Sequence, residues 1–223
     1  MAEDMSTWQP RERPERVTTS GRYVDIVPLF ASKHAQQLFD ASNVENSDAK
    51  FTWLAEMPPT DFEAFQKWVE NVAVSEDPIF YAVIDKASGK VAGRQTLMRI
   101  DEANGSVEIG NIYWGPLIAR QRGATEALFL AAKYVFDELG YRRFEWKCNN
   151  DNTPSKVAAL RFGFQHEGIF RQHLIVKGLN RDTAWFSMID KDWPALRNAY
   201  NAWLDPLNFN ANGSQKKKLQ DFR

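Results

Sequence analysis

The run from Thr125 to Leu139 constrains the fold of this chain more than any other segment, because its apolar residues recur at helical spacing. Leu128, Ala131 and Val135 fall on one face, and Gly140 directly after the run is a stop signal for a helix. The pattern predicts an amphipathic helix whose apolar face must be buried against other elements of the fold.

Strands are predicted on both sides of this helix, over Ser106–Trp114 and over Arg142–Cys148. Two strands joined through a helix can lie parallel in one sheet. The Asn104-Gly105 pair is a strong hairpin signal, so the strand over Lys90–Ile100 is expected to pair antiparallel with Ser106–Trp114. Gly110 within the second of these strands predicts a bulge or a close approach of another group to the backbone.

Similar patterns along the rest of the chain complete the fold class. Further strands are expected over Gly21–Leu29, Ile79–Asp85, Phe164–Val176 and Asp182–Ile189. Further helices are expected over Ser32–Ala41, from a cap at Thr60 or Asp61 through Val72, from Pro154 to Phe162, and over Asp192–Leu204. This order predicts an α+β fold (an α/β sandwich) with a mixed, mostly antiparallel central sheet flanked by helices.

The composition is that of one globular domain, with 223 residues of which 43% are hydrophobic. A formal net charge of −1 gives no global field for binding nucleic acid or a membrane surface. The single cysteine, Cys148, excludes an internal disulfide, and the three histidines are not spaced as metal ligands. No apolar run reaches the roughly 18 residues of a membrane span, so we expect a cytoplasmic protein with no metal and with neither nucleic acid nor a membrane as partner.

The two ends of the chain differ in texture from its middle. Residues 1–19 are polar, charged and without apolar periodicity, which predicts a flexible N-terminal arm. Residues 205–223 include a run of three lysines and are expected to form a frayed C-terminal tail. The folded domain is therefore expected to comprise residues 20–204.

A short basic loop connects the strand over Ser106–Trp114 to the central helix. It contains Arg120 and Arg122 together with the small residues Gly123 and Ala124. A helix N-terminus presents unpaired N–H groups and partial positive charge, so it favours a phosphate ligand. A surface loop with solvated arginines is the alternative interpretation.

Several segments in this region resemble the GNAT acetyltransferases, and among them the RimJ/RimL type. The resemblance rests on the runs Gly123-Ala124-Thr125-Glu126-Ala127, Phe136-Asp137-Glu138-Leu139-Gly140, Asn152-x-x-Ser155, Phe162-Gly163-Phe164 and Glu167-Gly168. It covers roughly Gly21 to Ile189. It implies the GNAT acyl-CoA N-acyltransferase fold for residues 20–204, acetyl-CoA as cosubstrate, and a primary amine as acceptor.

The resemblance also implies which residues bind acetyl-CoA. The implied contacts are the backbone of Ile112, Tyr113 and Trp114, the loop residues Arg120, Gln121, Arg122, Gly123, Ala124 and Thr125, and the side chains of Asn152 and Ser155. The loop departs from the family pattern Gln/Arg-x-x-Gly-x-Gly/Ala, because Ala119 and Arg122 stand where Gln/Arg and Gly are expected. Binding through backbone N–H groups survives this departure, since it depends on the geometry of the loop.

Transfer by direct attack of an amine on a thioester requires a proton acceptor, an oxyanion donor and a proton donor for the departing thiolate. By the resemblance, Glu108 is the expected base and Ser155 the expected acid, whereas Asn152 and Ser155 are also suited to capping a helix. Glu167 and His173 are further candidate bases, and pairing with an arginine is the alternative interpretation of Glu167. Cys148 is expected to be a buried small hydrophobe and not a nucleophile.

Aromatic residues are numerous enough to line an acceptor cleft as well as to fill a core. The candidates for the cleft are Trp53, Trp68, Trp114, Phe170, Arg171 and Trp185. Three functions stay open at this stage: acetylation of a protein N-terminal Ser or Ala, acetylation of a small-molecule amine such as an amino acid, polyamine or antibiotic, and a non-catalytic CoA-binding interaction module. A homodimer through the last strands or the last helix is a further expectation.

Overall fold

The computed structural model describes residues 4–223, so the first three residues of the expected arm lie outside the described part. Its strands are β1 (Thr19–Ser20), β2 (Val24–Pro28), β3 (Ile79–Asp85), β4 (Lys90–Asp101), β5 (Ser106–Trp114), β6 (Arg143–Asn149), β7 (Gln165–Val176) and β8 (Leu179–Ile189). Its helices are α1 (Ala31–Ser42), α2 (Ser47–Phe51), α3 (Phe62–Ala73), α4 (Arg122–Lys133), α5 (Thr153–Phe162) and α6 (Trp193–Trp203). A π-helical turn (Tyr134–Glu138) follows α4, and 3₁₀ turns span Pro206–Asn208 and Leu219–Phe222.

The strands form one mixed sheet in the order β1-β2-β3-β4-β5-β6-β8-β7. Neighbours pair antiparallel except for β5 and β6, which are parallel. This single parallel pair involves only Ser106–Glu108 of β5 and Arg143–Glu145 of β6. Beyond these residues the two strands no longer pair, although β6 continues to pair with β8 as far as Asn149. A gap therefore opens in the middle of the sheet.

Helices cover the two faces of the sheet with separate apolar clusters. The larger cluster joins α4, α5 and α6 to one face and includes Val107, Leu128, Val135, Phe144 and Phe186. The smaller cluster joins α1 and α3 to the other face of β3 and β4 and includes Leu38, Val69, Phe80 and Ala82. The expected fold class, a mostly antiparallel sheet between helices, is confirmed.

Three differences from the predicted elements have local causes. The central helix begins at Arg122, whereas Thr125 was predicted. The prediction began too late because the residues of the first turn are basic or small and add no apolar periodicity. The central helix ends as an α-helix at Lys133 and continues as a π turn where an unbroken helix to Leu139 was expected. The five-residue α2 was not predicted, since so short a segment has no measurable period.

The segments on either side of the domain make defined contacts with it. In the predicted arm, the indole Nε1 of Trp8 donates to the carbonyl of Ala103 at 2.8 Å, and the hydroxyl of Tyr81 donates to the carbonyl of Glu15 at 2.7 Å. In the predicted tail, Leu219 is fully buried in the larger cluster. These contacts hold residues 4–18 and 205–223 against the domain, whereas the domain limits of 20 and 204 stay a prediction.

A buried carboxylate fixes the start of α4 to the edge of the sheet. Glu126 accepts hydrogen bonds from the backbone N–H groups of Arg22, Tyr23 and Val24, the first and third at 2.8 Å and the second at 2.5 Å. A Cβ on Gly21 would lie 2.4 Å from the carboxyl carbon of Glu126, so this close approach requires glycine. The position of the first turn of α4 is therefore set by contacts 102 to 104 residues away in sequence.

We predict that Glu126→Gln lowers the free energy of unfolding by about 2–4 kcal/mol, because hydrogen bonds to a charged group contribute roughly 1.5–3 kcal/mol each. Urea denaturation near neutral pH measures the change. Glu63→Gln, on an exposed face of α3, is the matched control and is expected to change stability by less than about 0.5 kcal/mol. A loss for Glu126→Gln no larger than that of the control would contradict the anchoring role.

Candidate active site

A bulge in β5 lies beside the gap in the sheet. Between Gly110 and Tyr113, β5 has two residues where β4 has one, and Asn111 takes a positive φ of 50°. A Cβ on Gly110 would lie 2.4 Å from Sδ of Met98, so the strand also needs glycine here for close packing. The predicted bulge or close approach at Gly110 is confirmed, with the irregular residue one position further on.

Arg94 holds this bulge from the neighbouring strand. Its side chain is buried, with 1% of the residue exposed, and NH1 donates to the carbonyl of Asn111 at 3.0 Å and to its Oδ1 at 2.5 Å. NH2 pairs with Glu56, and the guanidinium lies 4.9 Å from the ring centroid of Trp68. Burial lowers the pKa of Arg94 to about 9, so the group is still charged at neutral pH. Trp68 belongs to α3 and packs, partly buried, against the smaller cluster.

Each strand bordering the gap is tied to a different helix. The indole Nε1 of Trp114 donates to Oε1 of Gln95 at 3.2 Å, and Nε2 of Gln95 donates to the carbonyl of Ala127 in α4 at 3.0 Å. On β6, the indole Nε1 of Trp146 donates to the hydroxyl of Ser155 in α5 at 3.0 Å. Past the bulge, β5 is thus hydrogen-bonded to α4 through Gln95 of β4, while β6 is hydrogen-bonded to α5.

Side chains at the end of β5 are occupied by protein contacts. The hydroxyl of Tyr113 donates to the carbonyl of Ala41 at 2.7 Å, and its ring lies 5.0 Å from that of Phe51. Trp114 packs edge-on against Phe162, and Ile112 is partly buried against the larger core. The backbone of Tyr113 and Trp114 has no pairing partner in β6. The backbone of these two residues, and not their side chains, is therefore available to contact a ligand in the gap.

The first turn of α4 lies at the end of the basic loop. Gln121 is its N-cap residue and makes no side-chain hydrogen bond to the turn. A Cβ on Gly123 would lie 2.9 Å from Cγ2 of Ile118, and Ala124 is buried, so small residues bring the loop and helix together. The side chain of the N-cap residue does not cap the N–H groups of this turn. These N–H groups can therefore bind an anion, as predicted from the sequence.

The arginines around this turn have different environments. The guanidinium of Arg122 lies 4.3 Å from the ring centroid of Tyr23, and Arg120 takes a positive φ of 61° in the loop. Arg161 of α5 was not predicted as a site residue, and its NH1 donates to Oγ1 of Thr125 at 3.0 Å. Burial lowers the pKa of Arg161, and within residues 4–223 no carboxylate pairs with it.

Asn152 and Ser155 open α5 on the same side of the sheet. Oδ1 of Asn152 accepts from the backbone N–H of Ser155 at 3.1 Å, which is the capping role that the sequence left open. The hydroxyl of Ser155 accepts from Trp146, so its own proton remains available to donate. Cys148 lies buried close by, and burial raises the pKa of its thiol. The expectation that Cys148 is a small buried residue is confirmed.

Glu108 lies on the opposite face of the sheet, in a buried ionic cluster. Its Oε2 lies 2.7 Å from NH1 of Arg99 and 3.0 Å from Nζ of Lys147. A Cβ on Gly110 would lie 3.4 Å from Oε1, so this second oxygen lies next to the start of the bulge. Oε1 has no ion pair among the described residues.

The cluster continues outward as alternating charges along β6. Lys147 also lies 2.6 Å from Oε2 of Glu145, and Arg143 lies 2.6 Å from the other oxygen of Glu145. Arg143 then pairs with Glu167, and this hydrogen-bonded pairing lowers the pKa of Glu167. The interpretation that Glu167 pairs with an arginine is confirmed, and the pair lies at the outer end of the cluster.

Aromatic residues of β7 and β8 stand beside these charges. Phe170 stacks on Trp185 with ring centroids 4.4 Å apart, and Nζ of Lys147 lies 3.7 Å from the centroid of Trp185. Nδ1 of His173 lies 3.0 Å from Oγ1 of Thr183. The other candidates for the cleft, Trp53 and Arg171, are exposed. Phe170, His173 and Trp185 are thus brought together with Glu108, whereas Ser155 lies across the sheet.

The fold and this gap define an acetyl-transferring class of protein, and comparisons with known proteins agree. A family model described as an Acetyltransferase (GNAT) domain matches residues 26–165, more than half of the chain. A crystal structure of a GCN5-related N-acetyltransferase from Brucella melitensis has 62% sequence identity and a TM-score of 0.96, with 97% of this chain and 98% of that chain covered. This chain belongs to the GNAT acetyltransferases and is an acetyl-transferring enzyme.

Two curated relatives indicate the type of acetyltransferase to which this chain is similar. An N-acetyltransferase named p20 from Bacillus licheniformis is 31% identical over 117 residues, which are 51% of this chain and 63% of that protein. YdaF of Bacillus subtilis is 30% identical to this chain over 106 residues, which are 47% of this chain and 57% of YdaF. Its name assigns it provisionally to the ribosomal N-acetyltransferases. The chain spans less than two thirds of the length of both relatives. The resemblance to the RimJ/RimL type is confirmed.

No group of three or more His, Cys, Asp or Glu side chains within residues 4–223 is arranged to hold a metal ion. No helix in this part of the chain is long and apolar enough to cross a membrane.

We predict that the thiol of Cys148 reacts slowly with dithiobis(nitrobenzoate) near neutral pH in the folded protein. Its raised pKa leaves less of the reactive thiolate than in the unfolded chain, and burial also hinders access. Unfolding in urea is expected to speed the reaction by at least about tenfold, followed by absorbance of the released thiolate. Equal rates with and without urea would show that Cys148 is an exposed, reactive thiol.

Proposed function

We propose that this enzyme transfers an acetyl group from acetyl-CoA to a primary amine by direct attack, without an acyl-enzyme. The observation that carries the proposal is the gap between β5 and β6, which stop pairing after three residues beside the uncapped first turn of α4. A thioester placed in such a gap is reached from both faces of the sheet. The cofactor then lies on the side of α4 and α5, and the amine arrives from the side of Glu108.

The cofactor side has groups suited to each part of acetyl-CoA. The backbone N–H groups of residues 121–125 would bind the pyrophosphate, with Arg120 and Arg161 adding charge. The backbone of Ile112–Trp114 would run beside the pantetheine arm, and its N–H groups near the bulge would stabilise the oxyanion. Asn152 caps α5 and would position Ser155 near the thioester sulfur.

The reaction needs two proton transfers. As the amine nitrogen attacks the carbonyl carbon and the C–S bond breaks, the hydroxyl of Ser155 would protonate the departing thiolate. Oε1 of Glu108 would accept the proton from the attacking nitrogen, directly or through one water molecule. An α-amino group, which titrates near about 8, gives up this proton more readily than a lysine side chain, which titrates near about 10.4. His173 is the other proton acceptor on this face.

The acceptor class follows less directly. The name of YdaF supports a protein N-terminal amine, such as that of Ser or Ala, and a small-molecule amine is the alternative. A cytoplasmic location and a homodimer stay predictions from the sequence.

Calorimetric titration with acetyl-CoA tests cofactor binding, with NADH as the control ligand. Release of the CoA thiol in the presence of Ser or Ala peptides and small amines tests turnover.

We predict that Ser155→Ala binds acetyl-CoA with an affinity within about threefold of that of the wild type but loses on the order of 10²-fold in kcat, because general acid–base groups contribute at least that much.

Ser88→Ala is the matched control, because Ser88 lies in the exposed turn between β3 and β4 and bonds only within that turn. Its kcat is expected to equal that of the wild type. Absence of acetyl-CoA binding by the wild type would refute the proposed function, whereas full activity of Ser155→Ala would refute only the role of Ser155.

A further inference from the structure

Arg181 of β8 is a half-buried cation with few partners. Its Nε donates to Oγ1 of Thr183 at 3.2 Å, and this is its one hydrogen bond within the described part of the chain. No carboxylate of residues 4–223 lies within 4.0 Å of it. Burial lowers the pKa of Arg181, so the protein bears a cost for keeping the charge there. A guanidinium has five N–H donors, and most of those of Arg181 are not used by the protein.

Arg181 lies on the same face of the sheet as the candidate base His173, because Oγ1 of Thr183, which accepts from Arg181, also lies 3.0 Å from Nδ1 of His173. Glu108 on β5 and Cys148 on β6, the two strands that border the gap, both influence its pKa. The other cations of this face, Arg99, Lys147 and Arg143, each have a carboxylate partner. Within the described chain, Arg181 is therefore the surplus positive charge of the buried cluster, next to the proposed base.

Two lysines add unpaired positive charge near the end of β5. Nζ of Lys50 in α2 donates to the carbonyl of Trp114 at the end of β5, at 3.1 Å. Nζ of Lys177, at the tip of the β7–β8 hairpin, donates to the carbonyl of Phe51 at 2.9 Å. Neither lysine has an ion pair within residues 4–223. Burial, with Arg120 nearby, lowers the pKa of Lys50.

We propose that the acceptor is a primary amine that carries an anionic group, a carboxylate or a phosphate, and that Arg181 binds this group while the amine lies near Glu108. The inference rests on the proposed function, since it names the substrate class of the same site. Arg181 is the specificity-determining residue, and Lys50 and Lys177 add attraction near the end of β5.

The chemistry of the guanidinium favours this role over a structural one. Its planar fork can donate two parallel hydrogen bonds to a carboxylate or phosphate. The fully buried Arg94 has a carboxylate partner in Glu56, whereas the half-buried Arg181 has none within residues 4–223. An anionic group on the acceptor would be the partner of Arg181 only while the substrate is bound. Lys147, by contrast, is paired within the protein with the carboxylates of Glu108 and Glu145.

The test compares pairs of acceptors in which one member carries an anionic group and the other does not. We would measure kcat/KM for acetyl transfer to 2-aminoethyl phosphate and to ethanolamine, and to peptides beginning Ser-Asp-Glu and Ser-Asn-Gln. Wild-type enzyme is expected to favour the anionic member of a pair by on the order of 10- to 100-fold, the range expected for a charge-assisted hydrogen bond. Preference within the small pair identifies a small-molecule acceptor, and preference within the peptide pair alone identifies an acidic protein N-terminus.

Arg181→Met is expected to remove this preference and to leave transfer to the neutral member within about threefold of the wild type. Arg181→Lys keeps the positive charge but loses the planar pair of N–H donors, so it is expected to retain an intermediate preference for the anionic acceptor. This variant tests the inference if Arg181→Met does not fold. Arg22→Met, at an exposed position, is the matched control and is expected to behave as the wild type.

The outcomes separate the two proposals. Failure to bind acetyl-CoA or to acetylate any amine would overturn the proposed function and the inference together. Acetylation of neutral and anionic amines at equal rates, or an equal loss for both with Arg181→Met, would overturn the inference alone, because Arg181 would then act on the reacting centre or on packing.

Discussion

A single buried guanidinium joins the parts of this enzyme that must be held in register. Arg94 bonds to both oxygens of Asn111 and so fixes the bulge of β5, and it pairs with Glu56 in the connection between α2 and α3. Removing one partner of a buried ion pair costs roughly 3–5 kcal/mol, so this arrangement does not tolerate partial loss. Because the bulge redirects β5 where it leaves β6, the gap in the sheet depends on Arg94.

The gap divides the proposed chemistry between the two faces of the sheet. On one face, α4 and α5 present backbone N–H groups and the hydroxyl of Ser155, which suit an anionic cofactor and a departing thiolate. On the other face, Glu108 lies among alternating charges with one surplus cation, Arg181, which suits an amine that carries an anion. The two substrates therefore approach from opposite sides and meet only where β5 and β6 part.

Local sequence patterns predicted the elements but not the contacts between them. Gly110 indicated the bulge because a strand glycine is a local signal, and the central helix followed from its own periodicity. The bonds from Arg94 to Glu56 and from Arg161 to Thr125 join residues 38 and 36 positions apart, and no spacing rule connects them. The unpaired state of Arg181 is likewise visible only once the carboxylates around it are placed. Site residues carried over by resemblance, such as Asn152 and Ser155, were found together because one helix begins with both.

Amide hydrogen exchange with and without acetyl-CoA tests most directly the claim that the gap between β5 and β6 holds the cofactor. Binding there should slow exchange in residues 111–114 of β5, 121–125 at the start of α4, and 152–155 at the start of α5, with no change in residues 24–28 at the far side of the sheet. Protection confined to other parts of the chain, despite saturating acetyl-CoA, would contradict the account of the gap as the cofactor site.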